Sequence, residues 1–191
     1  MKRDSEQVLL EWLVLSAQYG EQEALTALCQ RLYPKLLAYA RRQLASGDQE
    51  SANDAVQMTM EVVSTNLGAV KDPAAFKSWV YRILHHKLVD VVRANVRSEK
   101  LNAAVESTET TADSLALSLE DTVALEDVLS RLEKTDYQLV HLHYLEGFSS
   151  KEIARLLNIA EGTVKSRLFA VRKKLIELSN DEYQTSGEHH D

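Results

Sequence analysis

Apolar residues recur along most of this chain at intervals of three and four, the spacing of helices that bury one face. Val8, Leu9, Trp12, Leu13 and Leu15 open the first such pattern, and Gly20-Glu21 breaks it. Ala24, Leu25, Leu28, Leu32, Leu36, Leu37, Ala40 and Leu44 carry the next, in which Tyr33-Pro34 starts a new segment because proline lacks the amide that a helix interior needs. Ser46-Gly47-Asp48 is a turn, and Ala55, Val56, Met60 and Val63 form the apolar side of a helix over 51–66. Residues 67–75 read as a loop. A long helix follows over 76–97, with Phe76, Trp79, Val80, Ile83, Leu84, Leu88 and Val91 facing inward and Lys77, Arg82, Lys87, Arg93 and Arg97 facing out.

From Leu132 to Leu178 the pattern predicts three short helices. Gly147 closes the first, as suits a left-handed helix end. Ser149 opens the second, with Glu152 three residues on, which makes a capping box. Asn158 ends it, and the third helix starts near Glu161, with Val164, Leu168, Val171 and Leu175 as its stripe. A short helix, a tight turn with one apolar residue (Ile159) and a longer helix make a helix-turn-helix. The second helix of such a motif puts its early residues on base edges in the major groove. Here those are Thr163, Lys165, Ser166, Arg167 and Phe169, while Arg172, Lys173 and Lys174 are placed for phosphates. Ala160 stands at the cap position of this helix and offers no capping side chain.

Composition fits an all-α chain: Pro is 2 and Gly 6 in 191 residues, and the hydrophobic fraction is 45%, enough for packed cores. The net charge of −7 argues against nucleic acid only if it is spread evenly. It is not. Residues 76–100 hold six cations against two anions, residues 151–177 seven against three, and residues 101–127 seven anions with no cation. Two basic stretches thus flank an acidic one. Residues 98–119 are polar and read as a flexible linker, which would let each half engage separately while raising the effective concentration of the other.

Other chemistry is sparse. The single cysteine, Cys29, excludes an internal disulfide and fits a reducing cytoplasm. No Gly-rich phosphate loop or nucleophile–base set is present, so the chain is not expected to be an enzyme, and no cofactor or metal is predicted. His85 and His86 are adjacent and point apart on a helix, and His141 and His143 lie on different faces. No apolar run approaches the roughly 18 residues of a membrane span.

Gly147, Ser149, Glu152-Ile153-Ala154 and the run Gly162-Thr163-Val164-Lys165-Ser166-Arg167-Leu168 resemble region 4 of bacterial sigma factors of the extracytoplasmic-function (ECF) group. LuxR-type regulators share part of that run. The N-terminal half resembles ECF region 2 through Leu32-Tyr33, Ala40-Arg41-Arg42, Asp54, Val56-Gln57, Phe76, Trp79-Val80-Tyr81-Arg82-Ile83, Asp90 and Arg93, and LuxR-type regulators have no such half. The resemblance implies an all-α fold of two small helical domains: region 2 over 6–97 and region 4 over 120–179, with tails at 1–5 and 180–191.

It implies, too, a subunit that binds core RNA polymerase (the β′ and β subunits) and promoter DNA. Region 2 would take the −10 element through Lys77, Trp79, Arg82, His86, Lys87 and Arg93, with Phe76 as a second stacking candidate, although the register of both aromatics with Val80 and Ile83 favours the core. His86 stands where the family has an Asn, which alters the expected base preference. The 67–75 segment would belong to the base-capturing pocket. Region 4 would read the −35 element through the recognition helix. Core binding is expected at Asn53, Asp54, Gln57, Met58 and Glu61. The family carries an acidic run there, Asp-Ala-Glu-Asp-Leu-Val-Gln-Glu; this chain has Ser51 through Met58 in its place, and only Asp54 of four acidic positions is kept. Thr59 and Thr65, followed by Ser51 and Ser64, are candidate phosphorylation sites whose phosphate would restore the lost charge. A Ser/Thr kinase or an anti-sigma factor is thus an expected partner. A sigma-like competitor that binds core polymerase without activating it and a stand-alone helix-turn-helix repressor are the alternatives; transcription with pure core separates the first, and copurification with core polymerase the second.

Overall fold

The computed structural model describes residues 5–44, 48–101, 129 and 131–185. Ser46 and Gly47 of the predicted turn and most of the predicted linker lie outside these residues. Among those described there is no β-strand. The chain divides into two units, Met1–Ala112 and Asp113–Asp191.

The first unit is built from four helices: α1 (Ser5–Gln18), α2 (Gln22–Gln43), α3 (Gln49–Asn66) and α4 (Phe76–Leu101). Leu28, Leu36, Val56, Phe76 and Leu84 are fully buried between them. Truncating one such leucine to alanine costs about 2–5 kcal/mol, because the neighbours cannot collapse fully into the space. Tyr39 and Tyr81 meet edge to face, with ring centroids 5.4 Å apart, and tie α2 to α4. Glu6 and Lys35 pair between α1 and α2, and the Lys35 hydrogen bond holds the Glu6 carboxyl below its usual range.

Four sequence expectations change here. α2 runs unbroken through Pro34. Pro34 and Gln30, four residues before it, are both exposed, so the carbonyl that proline leaves without a donor can turn to water. α1 buries Leu10, Leu13 and Val14 but exposes Val8, Trp12 and Leu15, because its two apolar faces are opposed and only one has a neighbour. Residues 67–75 are not an irregular loop. They hold two 3-10 turns, Leu67–Ala69 and Pro73–Ala75, and the Asp72 side chain accepts the Ala74 amide at 3.0 Å. Finally, α4 continues to Leu101, four residues past its predicted end and into the predicted linker.

The second unit holds α5 (Lys134–Val140), a π turn (His141–Leu145), α6 (Ser150–Leu157) and α7 (Glu161–Thr185). The π turn widens the end of the first predicted helix: the Glu146 amide reaches back five residues to the His141 carbonyl at 2.9 Å. Beside it His141 and Glu146 are buried, with Nε2 and Oε1 3.8 Å apart, and the Tyr137 hydroxyl lies 3.3 Å from His141 Nδ1. Gly147 follows with φ +73°. The capping box forms as expected: Ser149 Oγ accepts the Glu152 amide at 3.3 Å, and the Ser149 amide donates to Glu152 Oε2 at 2.8 Å. Asn158 ends α6 in the left-handed region at φ 54°. Ile159 in the tight turn is half-buried. Ile153 and Leu156 of α6 are buried, as are Val164, Leu168 and Val171 of α7, so two crossed helices share one core.

Candidate nucleic-acid interface

α7 places its apolar stripe inward, and the intervening positions are therefore solvent-facing. Lys165, Ser166, Arg167, Phe169, Arg172 and Lys173 are all exposed, and Thr163 is half-buried in the first turn. Phe169 is 76% exposed, a large apolar ring with no core to fill. The Ser166 hydroxyl donates to the Thr163 carbonyl at 3.1 Å. Lys165 Nζ lies 2.7 Å from Glu161 Oε1, and this hydrogen bond, with the lysine charge, holds the Glu161 carboxyl below its usual range. Lys165 therefore has a partner within its own helix, in an exposed pair that a phosphate can displace. Lys174 differs from its sequence reading. Its Nζ donates to Asp136 Oδ2 at 2.8 Å and ties α7 to α5, and that hydrogen bond raises the lysine pKa. The first-turn amides of Thr163 and Val164 donate to the Ala160 carbonyl at 3.0 and 3.2 Å.

On α4, Arg82, His86 and Arg93 are exposed, and Lys77, Trp79 and Lys87 are half-buried. Arg93 lies only loosely against Asp90, at 4.0 Å. Phe76 is a core residue, as its register with Val80 and Ile83 favours: at 0% exposure, its ring 6.0 Å from that of Trp79, it cannot stack on a base. Trp79 keeps part of its ring at the surface. His85, half-buried beside the exposed His86, has its pKa lowered by burial and by His86. The α4 face thus carries cations, one imidazole and one partly open indole, which suits a single strand whose bases stack and whose phosphates need charge.

α3 presents Asp54, Met58, Glu61 and Thr65 along one exposed stripe, at intervals of four, three and four, with Gln57 and Ser64 beside it. Asn53 and Ser51 are half-buried, and the Ser51 amide donates to the capping Asp48 at 3.3 Å. Thr59 is corrected as a modification candidate. It is fully buried, and its hydroxyl donates inward to the Ala55 carbonyl at 2.7 Å, so no kinase reaches it in the folded unit. Thr65 is exposed at the end of the stripe, its hydroxyl bonded to the Glu61 carbonyl at 2.8 Å.

One residue that shapes this side of the unit was missed in the sequence. Gln18 of α1 is bonded to the backbone of the 67–75 segment, and a single glutamine at a helix end gives no signal of that. The buried His141–Glu146 pair was missed for the same reason, since neither residue type is expected in a core.

A helix-turn-helix with a cationic recognition helix, joined to a separate four-helix unit with its own basic helix, defines a two-module, all-α DNA-binding protein. Comparison with known proteins narrows this. The description "Sigma-70 region 2" matches residues 28–98, and "Sigma-70, region 4" matches residues 122–175. The chain is 32% identical over 159 residues to the ECF RNA polymerase sigma factor SigM of Mycobacterium tuberculosis, covering 83% of this chain and 79% of that one. It is 25% identical over 188 residues to the ECF sigma factor SigW of Bacillus subtilis, covering 90% of this chain and 100% of that one. The chain belongs to the ECF group of bacterial RNA polymerase sigma factors. Its fold is shared by the sigma factor RpoE of Bartonella quintana, solved with the anti-sigma factor NepR, at a TM-score of 0.63 and 22% identity over 79% of this chain and 93% of that one. It is shared also by CnrH, solved with the cytosolic domain of CnrY, at 0.56 and 23% over 91% and 98%.

Proposed function

We propose that this sigma factor binds core RNA polymerase through the exposed stripe of α3 and directs promoter-specific initiation. α4 takes the −10 element and α7 the −35 element. The observation that carries this reading is the division of labour among exposed faces. α7 turns Lys165, Ser166, Arg167 and Phe169 to solvent, α4 turns Arg82, His86 and Arg93 outward, and α3 offers Asp54, Gln57, Met58 and Glu61. Trp79, Lys87 and Asn53, all half-buried, flank those faces, while Lys77, also half-buried, lies toward Glu6 of α1, and Thr163, Arg172 and Lys173 complete the α7 surface. Transcription by purified core polymerase on a duplex genomic template tests it. Start sites that depend on this protein are expected; core-only background would refute the reading.

The α3 stripe is short of charge for meeting a basic surface on β′. Opposed charges steer encounter and fix register, and Met58 stands between Asp54 and Glu61 where an acid would continue the line. A phosphate on Thr65 adds about −1.5 to −2 charges to the same line. We therefore read Thr65 as the site at which a Ser/Thr kinase switches the protein on, with Ser64 and Ser51 as neighbouring acceptors. Binding to β′ by Thr65-phosphorylated protein should exceed that of the unmodified protein by an order of magnitude or so, and Thr65→Ala should lose the gain. Equal binding by all three forms would refute the switch. Control by an anti-sigma factor is the second reading, favoured by the fold shared with a sigma factor solved with the anti-sigma factor NepR.

A further inference from the structure

Gln18, the last residue of α1, spends its whole donor capacity on one distant stretch of backbone. Its Nε2 donates to the Leu67 carbonyl at 2.9 Å and to the Val70 carbonyl at 2.8 Å. A primary amide has two N–H donors, and both are used. The Leu67 carbonyl also accepts the Val70 amide at 3.1 Å, so the glutamine and the first 3-10 turn close on the same oxygen. The Leu67 side chain is buried beneath that turn. At the other end the Asp72 carboxylate fixes the second turn through the Ala74 amide. Between the two anchors Gly68, Ala69 and Lys71 are exposed. The segment is thus held at both ends and open in the middle, the geometry of a surface preset for a ligand. The anchor at its N-terminal end comes from outside the matched region 2, which begins at residue 28.

We infer that Gln18 is a positioning residue for −10 recognition: it fixes the 67–75 segment in the shape that distinguishes one unpaired base from another. This rests on the reading of that segment as part of the base-capturing surface. Without the two donors, the Leu67 and Val70 carbonyls must turn to water, because half-buried carbonyls left unpaired are costly. The segment then samples other conformers. A surface that moves still attracts the strand through its cations, but it tells bases apart less well, because discrimination depends on groups held where a wrong base leaves them unpaired.

The experiment uses holoenzyme, made from core polymerase and the full chain in one phosphorylation state. It binds forked DNA with an unpaired −10 non-template strand, and each unpaired position is varied through the four bases. The readout is the ratio of Kd values for disfavoured and favoured bases. Gln18→Met keeps the length and removes the donors, and Gln18→Lys restores donors; the added charge of the lysine cancels in the ratio. A third variant replaces residues 68–71 with Gly-Ser-Gly-Ser. We expect Gln18→Met to lower the ratio about tenfold, with core binding within about twofold of wild type, and Gln18→Lys to recover most of the loss. A wild-type ratio in Gln18→Met, alongside a lowered ratio in the 68–71 variant, overturns the role of Gln18 and leaves the segment's role standing. Unchanged ratios in both overturn the reading of the segment and the inference with it. Loss of core binding by Gln18→Met overturns the inference too, since the glutamine would then serve the fold as a whole.

Discussion

Lys165 is the residue whose chemistry differs most from its appearance in the sequence. There it is a free cation on a recognition helix; in the structure Glu161, one turn earlier, holds it at 2.7 Å. On the proposed function, DNA would exchange that carboxylate for a phosphate and leave Glu161 facing a polyanion. Glu161→Gln should therefore tighten promoter binding, while Lys165→Ala and Arg167→Ala should weaken it. For each phosphate that is no longer neutralised, the plot of log affinity against log salt should flatten by about 0.9. Titrations of promoter DNA at several salt concentrations check all three, with core binding unchanged as the control. Loss of core binding in either alanine variant would mean that these residues serve the fold instead. The exposed cations of α7 were legible because helical spacing fixes which positions face out. The Lys174–Asp136 pair was not, because it joins residues 38 apart in sequence, and spacing within one helix says nothing about a partner on another. Thr59 failed as a candidate for a related reason: a threonine is small enough to be buried with its hydroxyl on its own helix, so residue type alone cannot tell it from Thr65.

Among the elements, the helix-turn-helix was legible almost to the residue. Its signals are local: the Ser149–Glu152 box, Gly147 at positive φ and the left-handed Asn158. The chain departs from those local rules at Ala160. Ala160 caps α7 with a carbonyl alone, so Ala160→Ser should add a side-chain acceptor and stabilise the second unit by about 1 kcal/mol. Gly147 sits at φ +73° with open space around it, so Gly147→Ala should cost about 1–2 kcal/mol through backbone strain and not through a clash. Thermal denaturation of the two variants measures both, in opposite directions. The π turn at His141–Leu145 and the 3-10 turns of 67–75 were not legible, since they depend on interactions with other elements. Proline misled in α2 because its cost depends on exposure, and Pro34 lies on an exposed side.

At the scale of the molecule, the chain divides into two units, Met1–Ala112 and Asp113–Asp191, and one basic stretch falls in each. Among the described residues each unit carries its own buried core. A fragment of residues 1–101 should therefore be helical by circular dichroism, unfold cooperatively and bind β′ once Thr65 is phosphorylated. An unfolded fragment would contradict two independent modules. The central claim is that these modules together choose promoters for core polymerase. Its most direct test is run-off transcription by purified core with the Thr65-phosphorylated full chain on duplex promoter DNA. The same protein carrying Lys165→Ala and Arg167→Ala serves as the comparison. Discrete transcripts that require the protein, and that fall with the two substitutions, are the predicted result. No initiation above core alone in either phosphorylation state would contradict it.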